Sequence, residues 1–200
     1  MMEYSPKATA LLDAAISLWE QGSPLCEITV SQLAQTAKVG KGTVYEYFSS
    51  REELLALAFL HRMDARLSAL SLQVDADETF PRIMDTLFSA ASDMLVLQKA
   101  ALEAIELYVR TGRGAHELGP CPARSQQAKL EELLIRAVQK GQQEGALGPC
   151  SSCEALLAMK GILAGFAAYR QDHPQHDEAM LRACAQTLLR RALNGTSNGI

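Results

Sequence analysis

Apolar positions recur at helical spacing along nearly the whole chain. Leu11, Ala15 and Leu18 fall at i, i+4 and i+7, and Leu12, Ile16 and Trp19 widen the stripe, which predicts an amphipathic helix. Gly22, Ser23 and Pro24 stop it. Thr29 followed by Gln32 fits a capping box, in which the hydroxyl takes one free amide and the glutamine reaches back. A short helix then runs through Leu33, Ala34 and Ala37. A turn over 38–40 leads to a second short helix through Val44, Tyr45 and Phe48. Ser49 and Ser50 are N-cap candidates for the next helix, whose first turn carries Glu52 and Glu53, where the dipole favours acids.

The pattern predicts a long helix over 51–72, then helices over 78–97, 99–110, 123–141, 152–170 and 177–193. Loops are expected at 111–114, 119–122, 145–151 and 172–175, where Gly, Pro, Asn, Asp or Ser collect. The polar stretch 194–200 reads as a frayed end. No strand-like alternation and no fixed repeat interrupts this, so the fold class is all-α.

Composition changes the picture little. Apolar residues make up 48% and charged residues 21%, ordinary for a globular protein. The start of the chain lacks a basic stretch followed by an apolar run, and the longest apolar stretch, 155–169, contains Lys160 and falls short of the roughly 20 residues of a membrane span. A cytoplasmic protein is expected, with its five cysteines reduced. The net charge of −4 excludes a protein that coats nucleic acid indiscriminately. Within 38–51, however, Lys38, Lys41 and Arg51 face only Glu46. Any attraction to phosphate is therefore focused on this stretch.

That stretch lies in the most informative segment, 28–48. Two short helices joined by a tight turn lean on the preceding helix, and such a trihelical unit exposes its last helix for the major groove of DNA. Val44 and Phe48, at i and i+4, face inward, which leaves Lys41, Thr43, Tyr45 and Tyr47 near the surface. Hydroxyls and a lysine suit phosphate oxygens and base edges.

Leu11-Leu12-Asp13-Ala14-Ala15, Leu18-Trp19, Gly22, Thr29-Val30, Leu33-Ala34, the run Lys41-Gly42-Thr43-Val44-Tyr45-Glu46-Tyr47-Phe48 and Arg51-Glu52-Glu53-Leu54-Leu55 resemble the DNA-binding domain of the tetracycline-repressor (TetR) family. The resemblance covers about the first quarter of the chain. It implies a helix-turn-helix domain over 1–50 and a helical ligand-binding and dimerisation domain over 51–200. It also implies that Thr29 holds a phosphate, that Lys41, Thr43 and Tyr45 meet bases and backbone, that Tyr47 and Arg51 hold flanking phosphates, and that Gly42 permits close approach. Three departures stand out. Lys38 occupies a position where the family has a left-handed glycine, at a cost of about 1 kcal/mol. Gly40 replaces a capping serine or threonine. The segment 22–30 is two residues longer and contains Pro24.

Operator recognition by such a unit requires a homodimer, since one head reads too few bases. The last two helices are the expected interface. Leu181, Cys184, Leu188 and Ala192 form one stripe, and Gly161, Ala164, Gly165 and Ala168 form a smooth face. A small, largely apolar inducer is expected near Phe88, Tyr108 and Phe166, and it would release double-stranded operator DNA. Cys150 and Cys153 form a lone CxxC at a helix start, which gives an alternative reading as a thiol- or metal-responsive regulator. His173 and His176 are the tempting further ligands, but about twenty helical residues, roughly 30 Å at 1.5 Å each, separate them from Cys153. Only a neighbouring subunit could close that site, so neither metal nor cofactor is expected within one chain. No catalytic constellation is present, and no enzyme activity is expected.

Overall fold

The computed structural model describes residues 4–77, 79–118 and 122–194. Gly119, Pro120 and Cys121 of the expected loop, the expected helix start at Glu78 and the tail 195–200 lie outside the described residues. The described elements are α1 (Pro6–Glu20), α2 (Val30–Thr36), α3 (Lys41–Tyr47), α4 (Arg51–Ala76), α5 (Phe80–Val109), a 3₁₀ turn (Ala115–Leu118), α6 (Pro122–Gln143), α7 (Ser152–Asp172) and α8 (Glu178–Asn194). No strand occurs among the described residues. The all-α expectation holds.

The helix ends follow from local chemistry. Ser5 caps α1 by accepting from the Ala8 amide at 3.3 Å, and Pro6 occupies the first turn, where its missing N–H costs nothing. Gly22, at φ 92°, turns the chain out of α1 in a conformation other residues resist. The capping box at α2 is present, with the Gln32 amide donating to Thr29 Oγ1 at 3.2 Å and the Thr29 amide donating to Gln32 Oε1 at 2.8 Å. A second box opens α7, where the Ser151 amide donates to Glu154 Oε2 at 2.7 Å. The Ser151 backbone and then its hydroxyl hold the Glu154 carboxyl below its ordinary range.

The expected break near residue 98 is absent, and α5 is one helix of 30 residues. No glycine or proline lies between Arg82 and Val109, so nothing in the backbone stops it. What changes along α5 is the partner of its buried stripe. Phe80, Ile83, Met84, Leu87 and Phe88 join one core, whereas Leu97, Ala100, Ala101, Ala104 and Tyr108 join another.

The chain forms two compact units, neither of them continuous in sequence. The first comprises residues up to Ala65 together with Leu97–Ser125. The second comprises Arg66–Val96 and residues from Gln126 onward. In the first unit, Leu11, Leu12, Ile28, Leu33, Val44 and Phe48 are buried with Leu54, Leu55 and Phe59. Each such side chain contributes about 1.5–3 kcal/mol of transfer free energy. Trp19 closes this core edge-on against Phe59, with ring centroids 5.1 Å apart.

In the second unit α7 and α8 pack together, with Met159, Phe166, Ala185, Leu189 and Leu193 buried. With 21 residues and a best-window mean hydropathy of 1.2, α7 is long and apolar enough, by length and composition, to cross a membrane. In this fold Lys160 pairs with Glu131 of α6 at 2.5 Å, an ion pair expected of a packed protein helix.

Candidate nucleic-acid interface

The helix-turn-helix is assembled from α1, α2 and α3, which pack on one another. Lys38 closes α2 with φ 56°, the only positive φ at a non-glycine residue among the described residues. This is the left-handed conformation that the sequence position implied. It lets the Val39 amide donate to the Ala34 carbonyl at 2.9 Å, so the chain reverses within three residues. Gly40 is the N-cap of α3 and supplies no side-chain bond.

Within α3, Val44 is 0% exposed, and Phe48, at its C-cap, is 2% exposed; both anchor the helix to α1 and α2. The opposite face is open. Tyr45 is 61% exposed, Tyr47 is 40% exposed, and Lys41 and Gly42 are exposed, while Thr43 is half-buried. A Cβ built on Gly42 would meet nothing within 4 Å, so the fold itself does not require glycine there. A helix that keeps two tyrosines in water and gains nothing internal from its glycine fits an external surface laid against it. Lys38 and Lys41 are both exposed, and neither joins an ion pair among the described residues.

Two of the sequence-predicted DNA contacts are occupied by internal work. Thr29 is exposed, but its hydroxyl is shared with Gln32 in the capping box. Arg51 is more committed still. Its Nη1 donates to the carbonyls of Cys26 and Ile28 at 2.9 and 3.0 Å, and its Nη2 pairs with Glu52 at 2.7 Å. The guanidinium fork thus satisfies the carbonyls of the longer 22–30 segment and ties it to the start of α4.

Arg113, from the loop after α5, is a residue that sequence reasoning missed. It donates to Ser49 Oγ, immediately beyond α3, and the Ser49 amide donates to Glu53 Oε2 at 2.6 Å. The two partners are 64 positions apart, so no local pattern could have announced the contact.

The expected ligand residues separate. Phe88 and Phe166 meet in the core of the second unit, with centroids 4.8 Å apart. Tyr108, 1% exposed, lies in the other core with Leu55, Phe59 and Ala104, because α5 changes partner between them. The second unit also carries a groove with polar and charged side chains in its lining. Its volume is about 560 Å³, and Arg66, Gln73, Asp77, Asp85, Thr86 and Asp93 line it. Thr86 donates to Asp77 at 2.8 Å, and Arg66 pairs with Asp93 at 2.9 Å.

Cys150 is half-buried and accepts from Gln142 Nε2 at 3.4 Å, whereas Cys153 is exposed. Burial first, and the Glu154 carboxylate second, push the Cys150 thiol up, away from the reactive thiolate. That counts against a thiol switch at this residue. No group of three or more metal-type side chains converges among the described residues.

Residues 11–58 match the family model of the bacterial regulatory proteins of the tetR family. No curated protein sequence matches. Among solved structures, FadR from Bacillus subtilis in complex with stearoyl-CoA is 18% identical, with a TM-score of 0.58, over 93% of this chain and 97% of that one. NemR of E. coli in its reduced form is 15% identical, with a TM-score of 0.63, over 94% and 97% of the two chains. A TetR family transcription regulator from Marinobacter aquaeolei VT8 is 18% identical, with a TM-score of 0.56, over 94% and 95%. The resemblance of the N-terminal segment to the tetR family therefore holds, and the whole chain has the all-helical fold of these regulators.

Proposed function

We propose that this chain is a homodimeric, DNA-binding transcriptional regulator, a repressor released from operator DNA by a small-molecule inducer. The observation that carries the reading is α3, anchored by Val44 and Phe48 and open at Lys41, Gly42, Tyr45 and Tyr47. Lys41, Thr43 and Tyr45 read bases and backbone, Gly42 allows close approach, and Tyr47 holds a flanking phosphate. Thr29 and Arg51 act mainly by shaping the head, Arg51 through the carbonyls it satisfies. The experiment is selection of bound duplexes from a random pool, then a gel shift on the winner. Thr43→Ala and Tyr45→Ala each weaken binding by about 1–3 kcal/mol, or roughly fivefold to 150-fold, with unfolding unchanged. Undiminished binding by both variants overturns the assignment.

The second copy docks on α7 and α8. Leu157, Gly161, Ala164, Gly165 and Ala168 form one exposed stripe of α7, and Met180, Cys184 and Leu188 form one of α8. A Cβ on Gly161 or Gly165 would meet nothing within 4 Å, so the smoothness of α7 has no use inside one chain. A self-complementary face of this kind suits a two-fold pair, which is also what two heads need to meet successive major grooves about 34–36 Å apart.

The inducer reading rests on the aromatic pair Phe88 and Phe166, which a largely apolar ligand would part. Tyr108 is left out of that site. Replacing Cys150 and Cys153 with serine leaves induction intact on this reading.

A further inference from the structure

One charged side chain beside the helix-turn-helix has no part in the regulator reading. Arg113, from the loop after α5, lies in the same compact unit as α1, α2 and α3. It falls outside residues 11–58, the segment that matches the family model. The loop that carries it is fixed at both ends. Before it, Gly112 at φ 85° turns the chain out of α5, with its amide on the Val109 carbonyl at 3.0 Å and the Thr111 hydroxyl on the Tyr108 carbonyl at 2.7 Å. After it, the Gly114 amide donates to Glu117 Oε1 at 2.9 Å, and Leu118 is buried in the core that also takes Phe48 and Leu54. Arg113 is thereby held, half-buried, against Ser49.

What the guanidinium meets there is a poor partner for its charge. Its Nη1 donates to the Ser49 hydroxyl, which in turn donates to Glu53. A neutral hydroxyl takes one of five N–H donors, and phosphate oxygens are much the stronger acceptors for an arginine. The charges along α3 mark where such a phosphate is needed. Lys38 and Lys41 stand at its start, but from Gly42 to Ser50 the only charged residue is Glu46. Arg51, the next cation, is turned to the carbonyls of Cys26 and Ile28 and to Glu52. Arg113 puts positive charge at this far end. Cations then bracket a helix of seven residues, about 10 Å long at 1.5 Å each, against a major groove roughly 12 Å wide and walled by phosphates.

We propose that Arg113 holds a backbone phosphate beside the C-terminal end of α3, making the contact that Arg51 has given up. The DNA interface then takes in the loop after α5. The proposal rests on the regulator reading above and adds a residue to the same site. On the duplex the guanidinium keeps its place beside Ser49 and turns its remaining N–H groups to the phosphate, and a condensed counterion is released.

The test uses the full-length protein and the duplex selected from a random pool, with affinity read by fluorescence anisotropy across a salt series. Each phosphate contact contributes about 0.9 to the slope of log affinity against log salt, so Arg113→Gln, acting in both heads of a dimer, flattens the slope by about 1.8. That is a loss of roughly 60-fold at about 0.1 M salt, shrinking towards none near 1 M. The loss is the same on matched and singly mismatched duplexes, because a phosphate contact carries no base information. Arg113→Lys recovers the slope. Arg110→Gln, which removes a nearby cation already paired with Glu106, leaves the slope unchanged. Ser49→Ala, which removes the partner of Arg113 in the free protein, leaves it unchanged too. An unaltered slope in Arg113→Gln, or equal losses in Ser49→Ala and Arg113→Gln, makes Arg113 a structural strap; either result overturns the assignment and leaves the regulator standing. A protein that selects no duplex overturns the regulator reading itself, and this inference with it.

Discussion

Replacing Gly161 with leucine separates what α7 needs for its own subunit from what it needs for a second copy. Within the chain, a Cβ at this position meets nothing within 4 Å, on an exposed face of α7. Leucine also removes the entropic penalty of a helical glycine, about 0.8–1 kcal/mol, so the isolated subunit becomes somewhat more stable. Across a two-fold axis at this face the same change occurs twice, once on each copy. Overpacking costs about 1–3 kcal/mol per site, or about 2–6 kcal/mol per dimer. At about 1.4 kcal/mol per decade, the dimer dissociation constant rises roughly 30-fold to 20,000-fold. Sedimentation equilibrium over a concentration series reads that change, and circular dichroism confirms that the helices persist. An unchanged dissociation constant would refute the assignment of α7 to the interface.

Lys38→Gly relieves the left-handed strain at φ 56° and raises stability by about 1 kcal/mol in urea unfolding; a loss would show that the lysine side chain compensates. Arg51→Met leaves the Cys26 and Ile28 carbonyls without their donor, and thermal unfolding should reveal a loss of about 1–3 kcal/mol even without DNA. The depressed Glu154 carboxyl stabilises the start of α7 above the unfolded carboxyl pKa, and that contribution is lost as pH falls through the folded value. Glu154→Gln therefore flattens the acid limb of a stability–pH curve, and an identical limb in both proteins would contradict this.

The parts of the fold that rest on neighbours in sequence were legible in advance. The capping box at Thr29 and the inward pair Val44 and Phe48 follow from spacings of a few residues, and the left-handed residue at Lys38 from the resemblance to the tetR family. Where partners are remote, the pattern is silent. A helical stripe has the same period whichever core receives it, so nothing in α5 distinguishes Phe88 from Tyr108, and a change of partner near residue 97 reads as a break. Arg51 looks like a phosphate ligand because its sequence context says nothing of the carbonyls of Cys26 and Ile28, 25 and 23 residues away.

The shortness of α3 has a dynamic consequence. Seven residues give fewer than two turns, too few to hold a helix in water without tertiary support, and Gly40 adds no side-chain bond at the start. Its amides should therefore exchange with solvent through brief local openings, faster than those in the middle of α1, whose packed core face is larger. A duplex seated against the outer tyrosines would slow that exchange, so the element proposed to read sequence would also report occupancy through its protection.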